Sequence, residues 1–188
     1  EATANEKDAV DALLGAPSSG WDGGERVAER DGRVADGGLF KSGERHRLLP
    51  ALQAVQARVG WISEGALTYV CRRLNVPPAE AYGVATFYAL LSTTPRPPRV
   101  LHVCDDIACR ARGAEALIGA LEQAAGPPAH HAPIGGHARI DPQGTAWLRS
   151  PCLGLCDRAP AAFLQTAGER PAESLIGDVR AGDLVALY

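Results

Sequence analysis

Four of the five cysteines lie in two close pairs, and this arrangement limits the fold more than any other feature of the sequence. Cys104 and Cys109 form a C-x4-C pair, and Cys152 and Cys156 form a C-x3-C pair. If the four thiolates share one centre, two loops that are distant in the sequence must meet in the fold. Cys71 stands apart in an apolar helical pattern, which predicts a buried core residue.

Three uses of the paired cysteines differ in what they require. Disulfides are disfavoured because the number of cysteines is odd, no secretory signal precedes them, and very short loops gain least from closure. Structural zinc accepts four thiolates, although its sites usually use C-x2-C and both spacings here are wider. A 2Fe–2S cluster takes two thiolates on each of two irons, which suits two loops that each supply a pair. Spacing favours the cluster and leaves zinc open.

Composition and charge exclude several classes of function. The chain is 46% hydrophobic and 22% charged, which is typical of a folded globular protein. A net charge of −3 gives no indication of the excess positive charge that would bind nucleic acid or an anionic membrane. No apolar run approaches the roughly 18 residues of a membrane helix, so no direct membrane insertion is expected. We therefore expect a cytoplasmic protein, soluble or peripheral on the cytoplasmic side of a membrane complex.

The first half of the chain divides into a glycine-rich segment and a helical segment. Residues 1–44 are interpreted as a glycine-rich extended arm, in which Asn5 is a candidate cap for one short helix. Apolar residues at helical spacing predict a small bundle of three helices over residues 45–91. Gly83 is expected to break or kink the third of these. Its aromatic residues are expected to pack in the bundle core: Tyr82, Phe87 and Tyr88.

The spacing of apolar residues changes between the first and the second half of the chain. Residues 92–99 contain three prolines, which cannot continue a helix and predict a linker between domains. The strand-like alternation of Val100–Cys104 then leads into helical spacing, further strands and a final helix-like stub. Residues 100–188 are therefore predicted to form a small α/β domain, and the whole chain has the class α+β or α/β.

Two motifs resemble one known family. Cys104–Gly113 and Ser150–Pro160, together with the helical stretch Val76–Tyr88, are similar to the thioredoxin-like 2Fe–2S ferredoxin subunit of NADH:quinone oxidoreductase (respiratory complex I). The same family includes subunits of NAD-dependent formate dehydrogenases and NAD-reducing hydrogenases. The resemblance covers roughly residues 45–188, with both cysteine spacings in the right order.

The resemblance implies a fold, a cofactor and a partner. It implies a helical bundle followed by a thioredoxin-like α/β domain, and one 2Fe–2S cluster held by Cys104, Cys109, Cys152 and Cys156. It implies an electron-carrying subunit of an oxidoreductase complex, in which a partner flavoprotein binds FMN and NAD(H) and holds a further iron–sulfur cluster. The chain has no GxGxxG, P-loop or Ser-His-Asp arrangement, so we expect no NAD or substrate site of its own. The alternative is a zinc-stabilised adaptor without a redox role that docks on a flavoprotein.

Charged residues beside the cysteines are candidates for tuning the potential. Asp105 and Asp106 follow Cys104, and carboxylates there disfavour the addition of an electron. Taken singly, each is interpreted as a solvated loop charge. His102, two residues before Cys104, is interpreted as an ordinary strand histidine that is either exposed or hydrogen-bonded.

Overall fold

The computed structural model describes residues 1–31, 43–129 and 144–188. Residues 32–42 of the predicted arm lie outside the described residues. The chain divides into two compact units, Glu1–Thr93 and Thr94–Tyr188, and the division falls within the proline-rich stretch. The functional domain boundaries drawn from the sequence stay predictions.

The first unit is helical. Its helices are α1 (Ala4–Leu14), α2 (Ala28–Asp31), α3 (Leu48–Val59), α4 (Glu64–Leu74) and α5 (Pro78–Phe87), with 3-10 turns at Gly20–Asp22 and Gly43–Arg47. Leu52 and Val55 of α3 pack with Val70 and Leu74 of α4 in a core from which water is excluded. Ser63 caps α4, because its side chain accepts a hydrogen bond from the amide of Ala66.

Helix α1 belongs to this core, which corrects the interpretation of an extended arm for residues 3–14. The N-cap of this helix is Thr3, not Asn5: the Thr3 side chain accepts from the amide of Glu6, and Glu6 Oε2 accepts from the amide of Thr3 at 2.7 Å. This reciprocal pair is a capping box. Val10 is fully buried against α3 and α4, so burial of one apolar face fixes the helix. The glycine-rich part of the sequence begins only at Gly15, where the helix ends.

Helix α5 differs from prediction in two respects. It runs without a break through Gly83, since one glycine costs a helix only about 1 kcal/mol relative to alanine. Its buried residues are the small Ala81 and Ala85, which are one turn apart. The expected core aromatics are instead exposed: Tyr82 at 47%, Phe87 at 79% and Tyr88 at 43%. The alanine face allows close packing, and the large rings are left at the surface.

The second unit is a mixed α/β structure. Its elements are β1 (Arg99–Cys104), α6 (Ile107–Ala111), α7 (Ala114–Ala125), β2 (Thr145–Ser150), β3 (Ala162–Thr166), β4 (Ala172–Ile176) and α8 (Ala181–Leu187), with a 3-10 turn at Cys156–Arg158. The sheet has the order β2-β1-β3-β4. β1 is parallel to β2 and antiparallel to β3, and β3 is antiparallel to β4. The predicted combination of an N-terminal helical region and an α/β region is confirmed.

Side-chain alternation gives the sheet two distinct faces. Leu101 and Val103 of β1 and Trp147 of β2 pack with α7 and α8 in the main core of the unit. On the opposite face, Val100 packs with residues of β2 in a smaller cluster. Because β1 and β2 are parallel, both end at the same edge of the sheet. In the part of the chain that the structure describes, no helix is long and apolar enough to cross a membrane.

Candidate metal centre

The two predicted ligand pairs come together beyond the ends of β1 and β2. Cys104 is the last residue of β1, and Cys109 lies within α6. Cys152 follows β2, and Cys156 begins the 3-10 turn, with the Sγ atoms of this second pair 3.3 Å apart. The Cys109 thiol is hydrogen-bonded to Cys104 and lies within electrostatic range of Cys156. The four sulfurs that the sequence singled out thus converge, whereas Cys71 is buried in the core of the first unit.

The first cysteine loop, residues 104–109, is held by backbone hydrogen bonds on both sides. The amide of Cys104 donates to the carbonyl of Ala161 at 3.0 Å, and the amide of Asp105 donates to the carbonyl of Ser150 at 3.1 Å. Asp106 then caps α6, since its Oδ1 accepts from the amide of Ile107 at 2.7 Å. Strand pairing therefore fixes Cys104, and the capped helical turn fixes Cys109.

The second cysteine loop, residues 152–156, turns at Gly154, whose φ of 82° lies in the left-handed region that favours glycine. The amide of Gly154 donates to Cys152 Sγ at 3.4 Å, which is the contact that stabilises a thiolate ligand. The turn after Cys156 packs closely against Gly177. A side chain at this position would collide with the turn, because its Cβ would lie 2.6 Å from the Cβ of Arg158. Arg158 Nε also donates to Asp178 at 3.0 Å.

One carboxylate connects the two loops. While Asp106 Oδ1 caps α6, its Oδ2 accepts from the amide of Cys152 at 3.2 Å. Sequence reasoning missed this role, since it interpreted Asp106 as a solvated loop charge. An aspartate immediately before a short helix is the local signal of a cap, but the contact to Cys152 depends on the meeting of β1 and β2 and has no local signal.

The remaining charges form an exposed network beside the first loop. Arg149 lies 3.5 Å from Asp105 and from Glu122, and 3.4 Å from Glu115. Arg110 also pairs with Asp105, at 3.4 Å. Exposed pairs of this kind each contribute about 0–1 kcal/mol, so the network orients side chains more than it stabilises the unit.

Burial and mutual contact shift two of the site thiols, Cys109 and Cys156, toward their protonated forms. Burial raises the pKa of Cys109 to about 11, and the hydrogen bond with Cys104 acts in the same direction. The pKa of Cys156 is also raised, because Cys156 is hydrogen-bonded to Cys152 and because the charge of Cys152 acts in the same direction. Without metal these groups are thiols at neutral pH, so iron binding releases protons.

The donor set suits a two-iron centre. It consists of four soft sulfur atoms in two pairs, and a 2Fe–2S cluster takes one pair on each iron. Within residues 1–31, 43–129 and 144–188, no group of three or more His, Cys, Asp or Glu side chains is close enough to hold a metal ion, so the two pairs of sulfurs face each other without forming a closed site. His102 is buried and its Nε2 lies 3.1 Å from Gln165 Oε1, so it is the hydrogen-bonded strand histidine expected from the sequence.

Fold and site together define a small α/β iron–sulfur protein preceded by a helical region. A family model for thioredoxin-like [2Fe-2S] ferredoxins matches residues 40–173, and the chain belongs to that family. The predicted family and the thioredoxin-like fold are confirmed. The cofactor is accordingly a 2Fe–2S cluster, and the zinc alternative left open by the cysteine spacing is set aside.

Relatives and solved structures agree with this family. The chain is 32% identical over 133 residues to a subunit of the NADH-quinone oxidoreductase of Pseudomonas aeruginosa, covering 70% of this chain and 71% of that protein. It is 29% identical over 147 residues to a subunit of the NADH-quinone oxidoreductase of Thermus thermophilus, covering 74% and 77%. A crystal structure of an air-oxidised NAD+-reducing [NiFe]-hydrogenase matches with a TM-score of 0.52 and 26% identity. That match covers 75% of this chain but only 22% of the hydrogenase chain.

Proposed function

We propose that the chain is an electron-transfer subunit that holds one 2Fe–2S cluster through Cys104, Cys109, Cys152 and Cys156. The observation that carries the proposal is the convergence of these four sulfurs at the ends of two parallel strands, in a chain of the 2Fe–2S ferredoxin family. When bound, the cluster supplies one-electron storage. The chain supplies the thiolates and the surroundings that set the potential.

The two cysteine pairs differ in solvent exposure, so the site has an inner side and an outer side. Cys104 and Cys109 are each 2% exposed, whereas Cys152 and Cys156 are exposed. The second loop therefore forms the outer side of the site, with Leu153 partly buried beside it. An electron partner approaches from this outer side, because the inner thiols Cys104 and Cys109 are packed among Ala114, Ala159 and Ala161.

The proposed partner is a flavoprotein subunit that binds FMN and NAD(H) and holds a further iron–sulfur cluster. Support comes from the relatives, which are named as subunits of NADH-quinone oxidoreductases, and from the structural match to an NAD+-reducing hydrogenase. The parent complex is an NAD-linked oxidoreductase of the NADH:quinone, NAD-reducing hydrogenase or NAD-dependent formate dehydrogenase type. We place it in the cytoplasm, either soluble or peripheral on a membrane complex.

Metal analysis and cysteine variants test the cluster and its ligands. The full chain purified without oxygen is expected to be red-brown, with about two irons and two sulfides per chain. Alanine at any one of the four proposed ligands should lower the iron content and alter the EPR signal of the reduced protein. Cys71→Ala is the matched control, because this cysteine lies in the core of the first unit. A colourless protein with one zinc would refute the proposal and support an adaptor.

Purification of the native complex tests the partner. A tagged chain isolated from its source is expected to bring with it a subunit that contains FMN, and NADH should then reduce the cluster of the tagged chain. Nickel, molybdenum or a quinone-linked arm in the complex would identify its type. A stable complex without flavin, in which NADH leaves the cluster oxidised, would overturn this part of the proposal.

A further inference from the structure

Ser150, the last residue of β2, has a buried hydroxyl that lacks a partner among the described residues. The residue is 3% exposed, and within that part of the chain no group makes a hydrogen bond with its Oγ. Buried polar side chains nearly always have a partner, so this exception requires an explanation. The Ser150 backbone, in contrast, is engaged, since its carbonyl accepts from the amide of Asp105 at 3.1 Å.

The strand register places this hydroxyl beside a proposed ligand. Ser150 is paired directly with Cys104 across the parallel β1–β2 ladder, and neighbouring strands lie about 4.8 Å apart. The preceding residue, Arg149, extends toward α7, where it pairs with Glu122. Successive side chains of a strand point to opposite faces, so Ser150 lies on the sheet face that is turned away from α7. Cys104 lies on that same face, because its neighbour Val103 packs in the core with α7. Ser150 also lies two residues before Cys152, so it stands between the two cysteine loops.

We propose that the Ser150 hydroxyl donates a hydrogen bond to a sulfur of the bound 2Fe–2S centre, either a cluster sulfide or a ligand thiolate. This inference rests on the proposed cluster site and extends it. The hydroxyl then gains its missing partner only when the centre is loaded. Reduction adds negative charge to the sulfurs, and a donor to sulfur stabilises that charge. Ser150 therefore raises the reduction potential.

The main test is the midpoint potential of the full chain, measured by redox titration with EPR detection. Ser150→Ala is expected to lower the equilibrium constant for one-electron reduction about tenfold, which corresponds to a potential lower by about 59 mV. Ser150→Thr keeps a hydroxyl and suits a strand, so it should restore most of the potential. Ser174→Ala is the matched control, because it removes an exposed hydroxyl from the edge strand β4. An unchanged potential in Ser150→Ala would overturn the inference.

Two further measurements separate a donor to the cluster from a structural serine. In the metal-free chain, Ser150→Ala should leave the melting temperature unchanged or higher, because the hydroxyl makes no hydrogen bond to the described residues that the change could remove. A lower melting temperature would contradict the inference. In the loaded chain in D2O, pulsed EPR should detect a coupled exchangeable deuteron in the wild type that is absent from Ser150→Ala. Its presence in both would also contradict it.

The outcomes distinguish this inference from the function on which it rests. A wild-type chain without a two-iron EPR signal would refute the proposed cluster, whatever Ser150→Ala does. A wild-type chain with that signal, together with a Ser150→Ala variant of unchanged potential, would refute only the role of Ser150.

Discussion

Replacing Asp106 with alanine should loosen both cysteine loops at once, because this carboxylate contacts each of them. The change removes the cap on the amide of Ile107, at 2.7 Å, and the acceptor for the amide of Cys152, at 3.2 Å. No other element is needed to transmit the effect. The variant therefore measures how far a single side chain holds the two pairs of sulfurs in register.

The expected loss follows from the two hydrogen bonds. Losing a capping side chain costs about 1 kcal/mol. A hydrogen bond to a carboxylate is worth about 1.5–3 kcal/mol, and the longer, exposed contact to Cys152 belongs at the low end of that range. The second unit of the metal-free chain should thus lose about 2–3 kcal/mol of unfolding free energy. The midpoint of urea denaturation measures this loss.

Asp106→Ser separates the two contacts. Serine is a good cap, but its side chain is too short to reach the amide of Cys152 as well, so about half of the loss should remain. Amide hydrogen exchange at Cys152 should be faster in both variants, and both should release iron to a chelator faster than the wild type.

Asp157→Ala is the matched control, since it removes a carboxylate beside Cys156 in the other loop. It should leave exchange at Cys152 unchanged. The reasoning would be refuted if Asp106→Ala stayed within about 0.5 kcal/mol of the wild type, which is the usual range for surface substitutions. It would also be refuted if exchange at Cys152 did not change.

Three further predictions concern other parts of the fold. Asp11→Ala leaves the buried charge of Arg73 without its carboxylate, and urea denaturation should show a loss of about 3 kcal/mol in the first unit. Gly177→Ala should displace the turn after the second cysteine loop and speed the loss of iron to a chelator, whereas Gly119→Ala, which has open space around it, should not. Burial raises the pKa of Tyr69 above its usual value of 10.0, with a contribution from Asp8, so stability is full below pH 10 and is lost as pH rises through the higher pKa. Tyr69→Phe should abolish that alkaline loss in denaturation measured across this range.

Local patterns predicted the parts of the site that depend on local structure. Alternation before Cys104 gave the strand, helical spacing after Gly113 gave α7, and the cysteine spacing gave two loops, because each signal is contained in a few consecutive residues. The resemblance then named the four cysteines as ligands, and the structure brings them together. The short helix α6, which contains Cys109, was not predicted, because five residues are too few to show a helical period.

Long-range contacts account for what the sequence did not predict. Helix α1 is held by Asp11, which pairs with Arg73 and accepts from the hydroxyl of Tyr69 at 2.7 Å, and these partners are about sixty residues away in the chain. The exposed position of Phe87 likewise depends on which face of α5 packs against its neighbours. Composition and periodicity contain no information about either choice.

The supports of the cysteine loops imply that the site is formed before metal binds. Cys104 is held by the carbonyl of Ala161, the adjoining residue by Ser150, and Cys152 by Asp106, and none of these contacts uses iron. Beneath them lies a core that includes the fully buried Trp147, so we expect the second unit to fold without metal ligation, in contrast to a zinc finger. The metal-free chain should therefore keep its far-UV circular dichroism and unfold cooperatively. A metal-free chain with the spectrum of an unfolded protein would show that the hydrogen bonds around the loops are a consequence of the cluster and not its scaffold.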